Sequence, residues 1–145
     1  MDIPKLRDHT LHPRNLGEMV NPDGISVNCQ DCGDLIIFYL AVKNDRITRA
    51  MYQLQGCGNL AACCSIASIL AQGKTIWEAI QITGKQIEEA LGGLPTAELH
   101  TSVYAADALY AAVQDYLKKK ARKGSPSAAM QGDGWKSLYI QAQRQ

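Results

Sequence analysis

Five cysteines, three histidines and a scatter of carboxylates are the side chains in this 145-residue chain best suited to chemistry. Two of the cysteines are set among glycines, in Asp31-Cys32-Gly33-Asp34 and in Gln55-Gly56-Cys57-Gly58. Glycine permits a tight turn and close approach of backbone to a bound group. The second stretch follows a β-type run and opens a helix-type run, so Cys57 is expected at a strand-to-helix turn. There the positive end of the helix dipole favours thiolate, the form that binds metal or attacks sulfur. Asp34 lies two residues from Cys32, and His100 precedes the longest helical stretch. Two cysteines with a histidine or carboxylate suit zinc or an iron–sulfur cluster, because soft thiolates favour both over magnesium or calcium.

The other candidates divide. Cys29 forms a Cys-x-x-Cys with Cys32, a spacing common in metal sites, and is a candidate ligand. Cys63 and Cys64 follow Cys57 by about 9–10 Å along a helix axis, too far to share its metal. They read as buried small hydrophobes. His9 and His12 lack the glutamate and long helix of a zinc-protease motif, so they read as non-ligands.

The elements that must position these residues follow from periodicity. Residues 24–30 alternate as a short edge strand, 34–43 form a second strand and 46–54 a third. Asn44-Asp45 is a good hairpin turn between the last two, since both residues tolerate positive φ. A hairpin centred there puts positions 34 and 55 at one end of the sheet, so Cys32 and Cys57 meet at one tip. Ile37 and Tyr39 fall on the sheet face away from the helices, an apolar patch for a dimer or another partner. Residues 1–23 read as irregular, with one helical turn near Lys5–Thr10. Helical periodicity covers 58–72, closed by Gly73. Thr75 and Glu78 form a capping box. A further helix starts at Thr83 or Gly84 and closes at Gly92-Gly93. The longest runs from about Ser102 to Lys120, with Val103, Ala106, Leu109 or Tyr110, Val113, and Tyr116 or Leu117 as its buried stripe. Three strands followed by helices predict an α+β two-layer domain, a three-stranded antiparallel sheet covered on one face by helices.

Composition sets the bounds. The length is one domain with a real core, and a hydrophobic fraction of 46% is ordinary. No apolar run is long enough for a membrane span and no signal peptide is evident, which points to the cytoplasm. An odd number of cysteines in a reducing compartment argues for metal or thiol chemistry over disulfides. Residues 1–117 carry a balance of −5 and residues 118–145 a balance of +6. An acidic body with a basic end does not read as a nucleic-acid-binding domain. The expected division is a domain at 1–120 and a basic, largely disordered tail at 121–145. Trp135 to Ile140 is an apolar island in that tail, either a docking motif or loosely packed chain.

The sequence resembles the NifU/IscU family of iron–sulfur cluster assembly scaffolds from about residue 9 to 119. His9 through Gly17 is similar to the family's H-x-x-N-P-R-N-V-G segment. Cys32-Gly33-Asp34 matches its first cysteine motif, and Gln55-Gly56-Cys57-Gly58 with Ala61-Ala62 the second. Gly73-Lys74-Thr75 with Glu78-Ala79 matches G-K-T-x-x-E-A. Leu91-Gly92-Gly93-Leu94-Pro95 with Leu99-His100 resembles L-G-G-L-P followed by a His-Cys-Ser segment. The resemblance implies a platform that assembles a [2Fe–2S] cluster or binds iron, with zinc as another occupant. Cys32, Cys57 and His100 are then ligands and Asp34 tunes cluster lability. The implied partners are a cysteine desulfurase as sulfur source, iron–sulfur acceptor proteins, and a second copy in a homodimer. Two departures stand out. The family's third cysteine is Thr101 here, which carries neither a soft ligand nor a persulfide, and which reads instead as a helix N-cap. The lysine of the family's L-P-P-V-K chaperone motif is Glu98. The alternatives are a zinc-dependent sulfurtransferase of SufU type and a degenerate paralogue with a structural or regulatory role. The first is disfavoured because its usual insertion before the last helix is missing and His100 is present.

Overall fold

The computed structural model describes residues 1–29 and 33–123. Its elements in chain order are α1 (Ile3–Leu11), β1 (Gly24–Cys29), β2 (Leu35–Lys43), β3 (Arg46–Gln55), α2 (Gly58–Ala71), α3 (Ile76–Ala79), α4 (Gly84–Leu91), a 3₁₀ turn (Thr96–Glu98) and α5 (Leu99–Lys123). Cys32 lies outside the described residues, as do the tail beyond Lys123 and its Trp135–Ile140 island.

The strands form one antiparallel sheet in the order β1-β2-β3. Asn44 and Asp45 take φ of 53° and 60° at the hairpin turn, a left-handed geometry that Asn and Asp tolerate. The Asp45 carboxylate also accepts hydrogen bonds from the Tyr116 hydroxyl at 2.8 Å and Lys120 Nζ at 2.6 Å. The far end of α5 is therefore tied to the turn, and its near end falls toward the opposite tip of the sheet.

Alternation decides the faces. Ile36, Phe38, Leu40, Ala50 and Tyr52 are fully buried against the helices. α2 is apolar almost all round, with Leu60 and every residue from Ala62 to Ser68 buried, as expected of a central helix. α5 crosses β1 so closely that a Cβ on Gly24 would stand 2.5 Å from the Ala112 carbonyl oxygen. Gly24→Ala is therefore expected to destabilise the fold by about 1–3 kcal/mol through overpacking. A melting temperature equal to the parent's would show that α5 can shift away at no cost.

The sheet edges are covered. Asn15 to Gly17 pair with Tyr52, through Gly17 N–H to Tyr52 O at 2.8 Å and Tyr52 N–H to Asn15 O at 3.3 Å. Gly73 and Lys74 pair with Ile47 further along the same edge. On the other side the Ile25 N–H donates to the Asp115 carboxylate of α5 at 2.9 Å. These backbone groups are thus not open to another strand.

Several sequence expectations need correction. α1 has nine residues rather than one turn. Asp2 caps it by accepting from Lys5 N–H, and a proline sits in its first turn, where no N–H is needed. α5 starts at Leu99, three residues before the expected Ser102, and ends at Lys123. Of the expected stripe, Ala106, Leu109, Val113 and Leu117 are buried, joined by Thr101, Ala105, Ala108 and Ala112, while Val103 is 50% exposed. Val103 instead flanks the start of α4, where a Cβ on Gly84 would meet it at about 3 Å. Ile37 and Tyr39 do lie outside the helix-side core. Tyr39, however, is only 6% exposed, set between Ile25 and Met51 in the register and hydrogen-bonded to Gln53 at 2.5 Å. It is covered and not offered to a partner.

Candidate metal centre

The site is built at the sheet tip, where β3 ends and α2 begins. Leu35 pairs with Gln55, so Asp34 and Gly56 face each other just beyond the last rung. An Asp34 carboxylate oxygen lies 3.1 Å from where a Gly56 Cβ would stand. A side chain at 56 would meet Leu60 Cδ2 at 2.8 Å and crowd that carboxylate, which is the physical reason for glycine here. Cys57 follows in extended conformation as the N-cap residue of α2, and its thiol makes no capping bond. It is exposed and free of any disulfide. Its Sγ lies 3.9 Å from Oε2 of Glu98, at the end of the 3₁₀ turn.

The first turn of α5 closes the other side. His100 is exposed, its ring set edge-on against Tyr104 with centroids 5.3 Å apart. Thr101 points inward and is fully buried. It is not an N-cap: its hydroxyl donates back to the Glu98 carbonyl at 2.6 Å. The helix begins two residues earlier, so Thr101 turns onto the packed face. Behind it lies Cys63 Sγ, 3.4 Å from Thr101 Oγ1. Distance along the α2 axis had separated Cys63 from the site. Its contact with α5 brings it directly behind the residue that replaces the family cysteine, and only tertiary packing could reveal that. Burial pushes the Cys63 thiol up to about 11 and raises Cys64 further, so both stay protonated, as inert core thiols do.

Cys29 is exposed at the same end of the sheet. Its cross-strand row is Cys29, Leu35 and Gln55, alternate to the helix-facing row of Asn28, Ile36 and Leu54. The register thus places Cys29 on the sheet face opposite α2. Among the described residues, no three side chains of His, Cys, Asp and Glu already converge on a metal position. The gathered pair is Cys57 and Glu98, with Asp34 against the neighbouring Gly56.

The two N-terminal histidines part company. His12 is exposed, beside Asp8 at 3.7 Å. His9 is 7% exposed, with Nδ1 2.8 Å from Ser65 Oγ of α2. Ser65 Oγ also accepts the Arg14 N–H at 2.9 Å, and Asn15 donates to Ser68 Oγ at 2.9 Å. The segment from His9 to Asn15 is thus a latch that holds the N-terminal arm on α2. Burial and then the Arg14 charge hold His9 below the ordinary imidazole value, only partly offset by Asp8. The folded chain therefore favours neutral His9. That stabilisation is complete above about pH 6.5 and is lost as pH falls through the lower folded value. Amides of α1 are expected to exchange faster, relative to the sheet, at about pH 5.5 than at about pH 7.5. His9→Gln should remove this pH dependence. Equal relative protection of α1 at both pH values would show that His9 does not control the latch.

Comparison with known proteins agrees with this architecture. Residues 2–123 match the family described as NifU-like N terminal domain. The chain belongs to that family. It is 44% identical over 119 residues to two proteins of Archaeoglobus fulgidus named iron–sulfur cluster assembly scaffold protein IscU, covering 81% of this chain and 78% of each relative. A protein of the same name in Aquifex aeolicus is 36% identical over 122 residues, 81% of this chain and 77% of its own. Among solved structures, the NifU-like N-terminal protein of Brucella abortus superposes with a TM-score of 0.64 over 79% of this chain and 93% of its own. At 15% identity that likeness speaks for the fold. No helix among the described residues is long and apolar enough to cross a membrane.

Proposed function

We propose that this chain is an iron–sulfur cluster assembly scaffold and carrier, a platform rather than an enzyme. The relatives named as scaffold proteins support this role over most of the chain. The observation that carries it is the exposed, uncapped Cys57 thiol at the start of α2, in contact with the Glu98 side chain and next in sequence to the Gly56 that Asp34 packs against. A sulfur and carboxylate donor set suits iron. In this reading Cys32, Cys57 and His100 hold iron or a [2Fe–2S] cluster, and Asp34 supplies an oxygen donor. The register favours Asp34 over Cys29 as the additional ligand, since Cys29 faces away from α2. Zinc is an alternative occupant of the same donors. A cysteine desulfurase supplies the sulfur, apo-proteins that need a cluster receive it, and the work is done in the cytoplasm by the domain at 1–120. An exposed rim suits that traffic: cargo must enter and leave without unfolding the core.

The test is transfer. Protein loaded anaerobically is mixed with an apo-ferredoxin, and the ferredoxin's circular dichroism is followed. Appearance of the holo-ferredoxin signal at a rate that free iron and sulfide in the presence of a chelator do not match is the expected result. Transfer no faster than from free ions would remove the carrier role.

A further inference from the structure

We infer that Glu98 is a metal ligand of this site, an oxygen donor standing in for the thiolate that Thr101 cannot provide. The inference rests on the scaffold reading of Cys57 and extends it to a residue outside the expected ligand set. The geometry comes first. Glu98 Oε2 and Cys57 Sγ are 3.9 Å apart. With metal–sulfur and metal–oxygen bonds of about 2.3 Å and 2.0 Å, two donors on one tetrahedral ion stand about 3.5 Å apart. A few tenths of an ångström of side-chain adjustment would let both bind one ion.

The backbone holds the carboxylate in that place. The Glu98 N–H donates to the Pro95 carbonyl at 2.8 Å, and its own carbonyl accepts the Thr101 hydroxyl at 2.6 Å. The residue change that removes the family's thiol thus anchors the main chain of Glu98. The carboxylate itself is spent on nothing else: among the described residues, no ion pair to lysine, arginine or histidine includes it. Asp34 stands at the same tip, its carboxylate against the neighbouring Gly56. A sulfur and an oxygen donor within reach of one ion suit a divalent cation with mixed sulfur and oxygen preference, ferrous iron or zinc.

The experiment titrates the full-length chain anaerobically with cobalt(II), whose visible bands report both thiolate ligation and coordination geometry. Glu98→Gln keeps size and polarity but ligates far more weakly, and the bonds that hold the turn are main-chain ones, so the apo fold is retained. That variant should bind cobalt at least tenfold more weakly, roughly the loss that removing even an outer partner causes. Its thiolate-to-cobalt band should persist, because Cys57 remains. Wild-type affinity and spectrum in Glu98→Gln, alongside lost binding in Cys57→Ser, would overturn the ligand role and leave the scaffold reading standing. Failure of the parent chain to bind cobalt through thiolate would overturn both. A Glu98→Gln variant with an altered far-ultraviolet spectrum is replaced by Glu98→Asp, where a shorter reach predicts weaker binding and an unchanged affinity contradicts the assignment.

Discussion

Cys57→Ser is expected to abolish metal and cluster binding, while Cys64→Ser leaves both intact. The two residues differ in every physical respect that matters. Cys57 is exposed at the N-terminus of α2, free of capping bonds, with the Glu98 carboxylate beside its thiol. Cys64 is fully buried and held protonated by its surroundings. A serine hydroxyl at 57 cannot replace a soft anionic donor at neutral pH, so the affinity should fall by more than about a hundredfold, beyond what lost supporting partners cost. At 64 the penalty falls on the fold: a hydroxyl put into an apolar core costs about 1–3 kcal/mol. Iron or cobalt titration and thermal unfolding of both variants separate the two effects. Equal loss of binding in both would mean that the metal lies elsewhere.

Thr101→Cys should lengthen the lifetime of a bound cluster, by about tenfold for each 1.4 kcal/mol that a new sulfur ligand contributes. The structure attaches a condition. The Thr101 hydroxyl now points inward, to the Glu98 carbonyl and to Cys63. An introduced thiol must turn outward past the first residues of α5 to reach Cys57, at the loss of both contacts, of which the hydrogen bond to the Glu98 carbonyl alone is worth about 1 kcal/mol. The net gain identifies what fills the place in the parent. If an oxygen donor from Asp34 or Glu98 does so, substituting sulfur stabilises the cluster. If Cys29 does so, Cys29→Ser destroys the cluster. If a second copy of the chain supplies the donor, dilution releases it. An unchanged lifetime in Thr101→Cys, together with loss of binding in Cys29→Ser, would make Cys29 the relocated third ligand.

The strands were legible in the sequence because period-two alternation fixes the faces and Asn44-Asp45 the turn; the β-bulge between Ala41 and Val42, which shifts the β2–β3 register by one residue so that Leu35 pairs with Gln55, has no such local signal. Both capping boxes rest on local signals, Thr75 with Glu78 and Thr83 with Gln86. What could not be read depends on contacts distant in sequence. The N-terminal arm is helical because Asp2 caps it and its amide is held by the Gly92 carbonyl at 2.9 Å, ninety residues away. The early start of α5 comes from the 3₁₀ turn that feeds it, and this moved Thr101 from a cap to the packed interior. The same turn aims Glu98 at Cys57, a contact across 41 residues. Sequence spacing gave Cys63 a distance along its own helix, but not the neighbour that α5 lays against it.

The most direct measurement is anaerobic reconstitution of the full-length chain with ferrous iron, cysteine and a cysteine desulfurase, followed by absorption spectroscopy with iron and acid-labile sulfide analysis. A scaffold should develop sulfur-to-iron charge-transfer bands, bind iron and sulfide in equal amounts, and lose both in Cys57→Ser. Failure to develop those bands with the desulfurase present, or a spectrum that survives in Cys57→Ser, would contradict the account.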